Sequence, residues 1–222
     1  MTITVHHLND SRSQRILWLL EELGLEYEVK RYQRDPETML APASLKEVHP
    51  LGKSPVITDG ELTLAESGAI VEYLVDRYGN GRLTPTPETP EHLRYTYWLH
   101  YAEGSAMPPL VMQLVFNLVE QQSPFFLRSI AKVITGKVKE TYLKPLITQN
   151  LAYMEAELKQ NTWFVGDEFS AADIQLSFPL EAAAAQSNLD GNYPQLKAFL
   201  ERIHDRPTYQ KALERGGAYS FV

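Results

Sequence analysis

The stretch Gly52-Lys53-Ser54-Pro55-Val56-Ile57, with Glu66-Ser67 following eleven residues after the proline, constrains this chain more than any other. Proline has no N–H to give to a ladder. At the mouth of an apolar strand it is excluded unless that edge is left open for something else. An open backbone edge, faced by two polar residues at the start of the next helix, suits the capture of a small peptide-like ligand.

A chain of 222 residues has room for one large domain or two small ones with ample core. Its 44% hydrophobic share argues for a folded protein. A formal net charge of −7 and the lack of any basic run argue against a nucleic-acid surface as the main function. There is no cysteine, which removes disulfides, thiolate metal sites and a cysteine nucleophile, and fits a reducing compartment. The opening residues, Met1 to His7, lack the charged-then-apolar design of a secretion signal, and no run approaches membrane-spanning length. The expectation is a cytoplasmic protein with neither membrane nor nucleic acid as partner.

The first eighty residues alternate between strand and helix patterns. Ile3 and Val5 begin a strand; after Asn9-Asp10-Ser11, the residues Ile16, Leu19, Leu20 and Leu23 recur at helical spacing until Gly24. Tyr27, Val29 and Tyr32 predict a second strand, and Asp59-Gly60 between two apolar runs predicts a hairpin. Ile70, Val71, Leu74, Val75 and Tyr78 mark an amphipathic helix ending at Gly79. The order is β-α-β, then β-β-α, with the first strand pair parallel and the last antiparallel. Residues 80–90, rich in proline and threonine, form a linker. Beyond it, 91–222 shows helical patterns only, with Pro108-Pro109 and Pro145 set to break or kink their helices. Ser170-Ala-Ala-Asp173 has the form of a capping box. The run Glu181-Ala-Ala-Ala-Ala-Gln186 reads as a closely packed helix and nothing more.

With these elements in place the chain resembles, over its whole length, the cytosolic glutathione transferases. The resemblance is carried by Ser54-Pro55, by Glu66-Ser67-Gly-Ala-Ile70 and by the Phe169-Ser-Ala-Ala-Asp173 cap, in that order and at these separations. Asn9-Asp-Ser11-Arg-Ser-Gln-Arg15 is similar to the serine-using theta and delta-like classes. No tyrosine precedes the first helix, and the lack of cysteine excludes the thiol-exchanging classes. The resemblance implies an α/β thioredoxin-like N-terminal domain over 1–79, which binds glutathione. A linker, 80–90, would lead to an all-α C-terminal helical domain over 91–222 with the electrophile pocket. It also implies glutathione as co-substrate, a small electrophile as second substrate, no metal, and a homodimer with a detoxification role.

A site lowering the glutathione thiol pKa from about 8.5 by ~2 units must favour the thiolate by ~2.7 kcal/mol. A hydroxyl donor and a helix N-terminus can supply this together. Ser11 is placed for both, as donor to the sulfur and not as nucleophile, since no base is visible beside it; Ser11-Arg-Ser-Gln14 also fits an N-terminal cap. Asn9 and Ser13 are alternative candidates for that role. The resemblance makes Pro55 cis and gives the main chain of Ser54 to the cysteinyl unit. It gives Lys53, otherwise a solvated surface lysine, to the glycyl carboxylate. Glu66 takes the α-ammonium, while Ser67 and the free N–H groups at the helix start take the γ-glutamyl carboxylate, a role compatible with capping.

Other features carry less. His6-His7 cannot chelate one ion, because neighbouring strand residues point to opposite faces. His49 replaces the asparagine common in the family before Pro-Leu-Gly. Trp98, Tyr101 and Met107 are candidates for the apolar co-substrate pocket, against a plain role in the core or at the dimer contact. Glu103 is a candidate for reaching the partner subunit's glutathione amine, as an acidic residue near there does in some classes. The expected activity is addition of the glutathione thiolate to small, mostly apolar electrophiles, or glutathione-dependent hydroperoxide reduction. The rival is a non-catalytic binding or regulatory protein of the same fold.

Overall fold

The computed structural model describes residues 2–36, 38–186, 188–189 and 191–221. Strand β1 (Ile3–Leu8) leads through helix α1 (Ser13–Leu23) to β2 (Tyr27–Tyr32), which lies parallel to β1 with Val5 opposite Val29. Helix α1 stops at Gly24, whose φ of 68° turns its N–H back to Glu21 O. Strands β3 (Val56–Asp59) and β4 (Leu62–Ala65) form the expected hairpin, with Gly60 at φ 61° in the turn. The sheet order is β2-β1-β3-β4, with β3 antiparallel to both neighbours. Helix α2 (Ser67–Tyr78) is tied to the hairpin, as the hydroxyls of Tyr73 and Tyr78 both donate to Asp59. This is the thioredoxin-like arrangement, and an all-helical region follows it.

Thr89 caps helix α3 (Pro90–Tyr101): its hydroxyl accepts the His92 N–H, and Pro90 occupies the first turn, where no N–H is needed. The two helix-breaking signals resolve as wide turns. A π-helical turn, Ala102–Ala106, joins α3 to α4 (Met107–Gln122) just before Pro108-Pro109. A second, Lys139–Leu143, joins α5 (Arg128–Val138) to α6 (Lys144–Leu158) just before Pro145. A wider turn keeps the helix going while relieving the clash of each ring with the turn before it. Helices α7 (Ala171–Ala185), α8 (Pro194–His204) and α9 (Pro207–Gly216) complete the region.

Helix α1 is the common wall of the two halves, packed against β1, α2, α7 and α9. Trp18 on α1 is fully buried and meets Tyr209 edge-on at 5.2 Å and Phe169 at 5.6 Å between ring centroids. The Glu181 run is packed as expected, yet Glu181 itself does more. Its buried carboxylate accepts the hydroxyls of Tyr209 at 2.6 Å and Tyr219 at 2.5 Å, so α7 holds both α9 and the chain that follows it. A run of small residues hid this, because the partners lie some thirty residues on.

Asp173 anchors the start of α7. Its carboxylate accepts the N–H of Phe164 at 2.9 Å, the N–H of Ser170 at 2.9 Å and the Ser170 hydroxyl at 3.0 Å, all buried. Asp173→Ala leaves two buried main-chain donors unpaired and should lower unfolding free energy by ~2–4 kcal/mol. Urea unfolding checks this, and Asp173→Asn, which keeps one acceptor oxygen, should lose less.

Candidate active site

The Ser54–Pro55 bond is cis. Pro55 cannot continue the β1–β3 ladder beyond the His6–Val56 pair, and the Ser54 side chain takes over. Its hydroxyl donates to His6 O at 2.9 Å and accepts the Leu8 N–H at 3.3 Å. With β1 satisfied by a side chain, the main chain of Ser54 is left for a partner outside the sheet. His49 shapes the approach, its ring Nδ1 accepting the Leu51 N–H at 3.4 Å and its carbonyl the Gly52 N–H at 2.9 Å.

Lys53, Ser54, Pro55, Glu66 and Ser67 line one cavity of about 310 Å³, together with Arg12, Leu51, Ala65 and Glu103. Lys53 and Glu66 are exposed, and Ser67 is buried. Glu66 has φ 71° and ψ 117°, a conformation that L residues rarely hold and that clusters at binding sites. Ser67 is the first residue of α2 rather than its cap, so the first N–H groups of that helix open towards the cavity.

Behind the cavity lies an ion network. Arg15 is fully buried and donates to Ser67 Oγ at 2.8 Å, to Glu103 and to the carbonyl of Gln175 on α7. Arg12 Nε lies 3.1 Å from the other Glu103 oxygen. Burial pushes the Glu103 carboxyl up, but the two guanidiniums and the hydrogen bond from Arg15 outweigh it and hold the group below its ordinary value. Glu103 thus pairs with two arginines of its own chain.

Family profiles described as the N-terminal and C-terminal domains of glutathione S-transferase match residues 1–76 and 108–207. Glutathione S-transferase 3 of Schizosaccharomyces pombe is 37% identical over 96% of this chain and 87% of its own. Glutathione S-transferase 1 of Saccharomyces cerevisiae is 32% identical, over 97% of this chain and 96% of its own. The chain belongs to the glutathione S-transferase family. Among solved structures, a glutathione S-transferase from Actinobacillus pleuropneumoniae superposes with a TM-score of 0.80 at 34% identity, covering 99% of this chain and 94% of that one.

Ser11, Asn9, Ser13, Trp98, Tyr101 and Met107 are not among the residues that line this cavity. Ser11 sits just behind the lining and is 4% exposed; its hydroxyl donates to Leu8 O at 2.8 Å and lies 2.7 Å from Ser13 Oγ. It also accepts the Ser13 N–H at 3.3 Å, which keeps part of the capping role. Asn9 is turned away, its side-chain oxygen accepting the Arg34 N–H at 2.8 Å. Ser13 is buried against His7. Trp98 and Met107 belong to the core, with Trp98 stacked on Tyr153 at 5.4 Å. Tyr101 donates its hydroxyl to Asn150 at 2.5 Å and lines a separate cavity with Tyr97 and Tyr153. His6 and His7 diverge as expected, His6 to Tyr32 and His7 to Ser13. Among the described residues no cluster of His, Asp and Glu is arranged to hold a metal ion.

Arg12 and Arg15 escaped sequence reasoning as site residues. The signal was present: two cations open an apolar helix whose dipole disfavours positive charge there. Glu103→Gln leaves the buried Arg15 without its counter-ion and should cost ~2–3 kcal/mol at pH 7, because Glu103 is itself partly exposed. Its folded-state pKa is depressed, so its contribution is present above the unfolded value of about 4.5 and disappears as pH falls below it. Denaturant unfolding should show wild type and Glu103→Gln converging as the pH is taken below that value.

Proposed function

We propose that this protein is an active transferase that adds the glutathione thiolate to small, mostly apolar electrophiles. The observation that carries the reading is the single cavity on which Lys53, Ser54, Glu66 and Ser67 converge, with the open strand edge at its centre. Glutathione fits it as a short peptide. The cysteinyl unit pairs with the main chain of Ser54, the glycyl carboxylate meets Lys53, and the γ-glutamyl end meets Glu66 and the start of α2. Residues 1–79 form the glutathione-binding domain and residues 91–222 supply the second pocket, joined by the linker at 80–90.

Ser11 donates to the sulfur. It lies at the start of α1, whose dipole and Arg12 together favour a negative charge nearby. The electrophile side is the aromatic wall next to Arg12. Phe178 is 5.8 Å from the Arg12 guanidinium carbon and 5.4 Å from Phe221, which packs on Tyr219. This wall is a better candidate than Trp98 or Met107, because its tail is tied to the same turn: the Ser220 N–H donates to Asp10 at 2.7 Å. Hydroperoxide reduction by the same thiolate, a homodimeric state and a cytoplasmic location complete the proposal.

Ser11→Ala should keep glutathione binding while lowering kcat/KM about 10- to 100-fold at neutral pH, the equivalent of ~1–2 units of thiol pKa. Turnover of chlorodinitrobenzene and retention on immobilised glutathione measure the two halves separately. If glutathione bound to the wild type shows no thiolate absorbance near neutral pH, the protein is a binding module of the transferase fold.

A further inference from the structure

Three hydrogen bonds run inward from Ser11, and the protons on them can be assigned by counting. Ser11 Oγ lies 2.8 Å from Leu8 O, a carbonyl that can only accept, so this contact uses the Ser11 proton. The 2.7 Å contact between Ser11 and Ser13 must then carry the Ser13 proton. With that proton committed, the 2.9 Å contact from Ser13 Oγ to His7 Nδ1 must carry a proton on the ring nitrogen. The chain then runs His7 Nδ1–H to Ser13, Ser13 O–H to Ser11, and Ser11 O–H to Leu8 O, the one proton that a ligand could take over. Reversing it would commit the Ser11 proton to Ser13 and leave Leu8 O only the longer 3.4 Å approach of the Ser13 hydroxyl.

We propose that His7 is a positioning residue for thiol activation, fixing Ser13 as donor to Ser11 so that Ser11 can only donate and turns its proton from Leu8 O to the glutathione sulfur when that ligand binds. The inference rests on the assignment of Ser11 as that donor. His7 is 3% exposed on β1 and is not among the residues that line the proposed glutathione site. Burial, and next the cation Arg31 on β2, push its ring down to about 4, with Asp10 opposing, so the imidazole is neutral and carries a single proton. That proton belongs on Nδ1. Both lone pairs of Ser11 are used by the Ser13 hydroxyl and, at 3.3 Å, the Ser13 N–H. Each donor in the chain polarises the next, which strengthens the last one. The same arrangement denies Ser11 a base and makes it a donor only.

The test compares wild type, Ser11→Ala, His7→Leu and His7→Asn by ultraviolet titration of the thiolate in the glutathione complex, with KM for glutathione and thermal midpoint measured alongside. His7→Leu removes the donor and should raise the bound-thiol pKa by about half to one unit and lower kcat about 3- to 10-fold, with KM for glutathione unchanged. His7→Asn can place its amide N–H where Nδ1–H lies and should restore most of both. A purely structural histidine would lower the thermal midpoint in both variants and leave the thiol pKa of the folded fraction alone, which overturns the inference. So does an unrestored shift in His7→Asn. If Ser11→Ala also leaves the thiol pKa at the wild-type value, it is the Ser11 assignment that falls.

Discussion

A guanidinium with no access to water needs partners for its charge, and the two terminal nitrogens of Arg15 find them on three different elements, while its Nε is buried without one. Its partners are Ser67 at the start of α2, Glu103 in the π turn between α3 and α4, and the Gln175 carbonyl inside α7. Breaking such an arrangement leaves a buried charge, which costs far more than an ordinary surface pair returns. The consequence is geometric. The helix whose first residue lines the cavity, and the acid that pairs with Arg12 on its rim, are held in place by one side chain on α1. Through Glu103 the helical region is therefore part of this cavity and not merely its neighbour.

The second constraint is the strand edge. A proline at that position deprives β1 of a ladder partner, and most side chains at the preceding position could not make up the loss. Serine can, since its hydroxyl both gives and accepts, and here it does so to His6 O and the Leu8 N–H. The side chain repairs the sheet while Ser54 still lines the cavity. Leu8 is shared by both features: its N–H meets Ser54, and its carbonyl meets Ser11. The binding edge and the candidate donor are thus set by the two ends of one peptide-backbone residue.

The sequence announced this architecture well where local chemistry decides it. Gly24 and Asp59-Gly60 mark an end and a turn through backbone geometry alone, and the apolar spacings on α1 and α2 follow from burying one face. Long-range polar pairing was not legible. Nothing near Arg15 in the chain names Glu103 or Gln175, and nothing near Glu181 names Tyr219. Removal of a donor is a local fact, so the prolines predict a break or a kink, whereas their absorption by π turns is decided by the structure around them. Ser11 shows the limit within a single site. Capping and donation use the same residue types at the same spacing, and both are visible in its contacts.

The cavity separates two kinds of work. The groups that would hold glutathione are charged and reach solvent, as Lys53 and Glu66 do. Those that would act on its sulfur are neutral and buried: Ser11, Ser13 and His7. Salt and surface charge can tune the first set with little effect on the second, because screening falls on exposed charges. The neutral set has a further property. With its imidazole pushed down to about 4, the chain behind Ser11 does not change protonation between pH 5 and 8. On the proposed mechanism, the rise of activity with pH in that range then belongs to the thiol alone. The apparent pKa read from the rate is a direct measure of how far the site has shifted the sulfur.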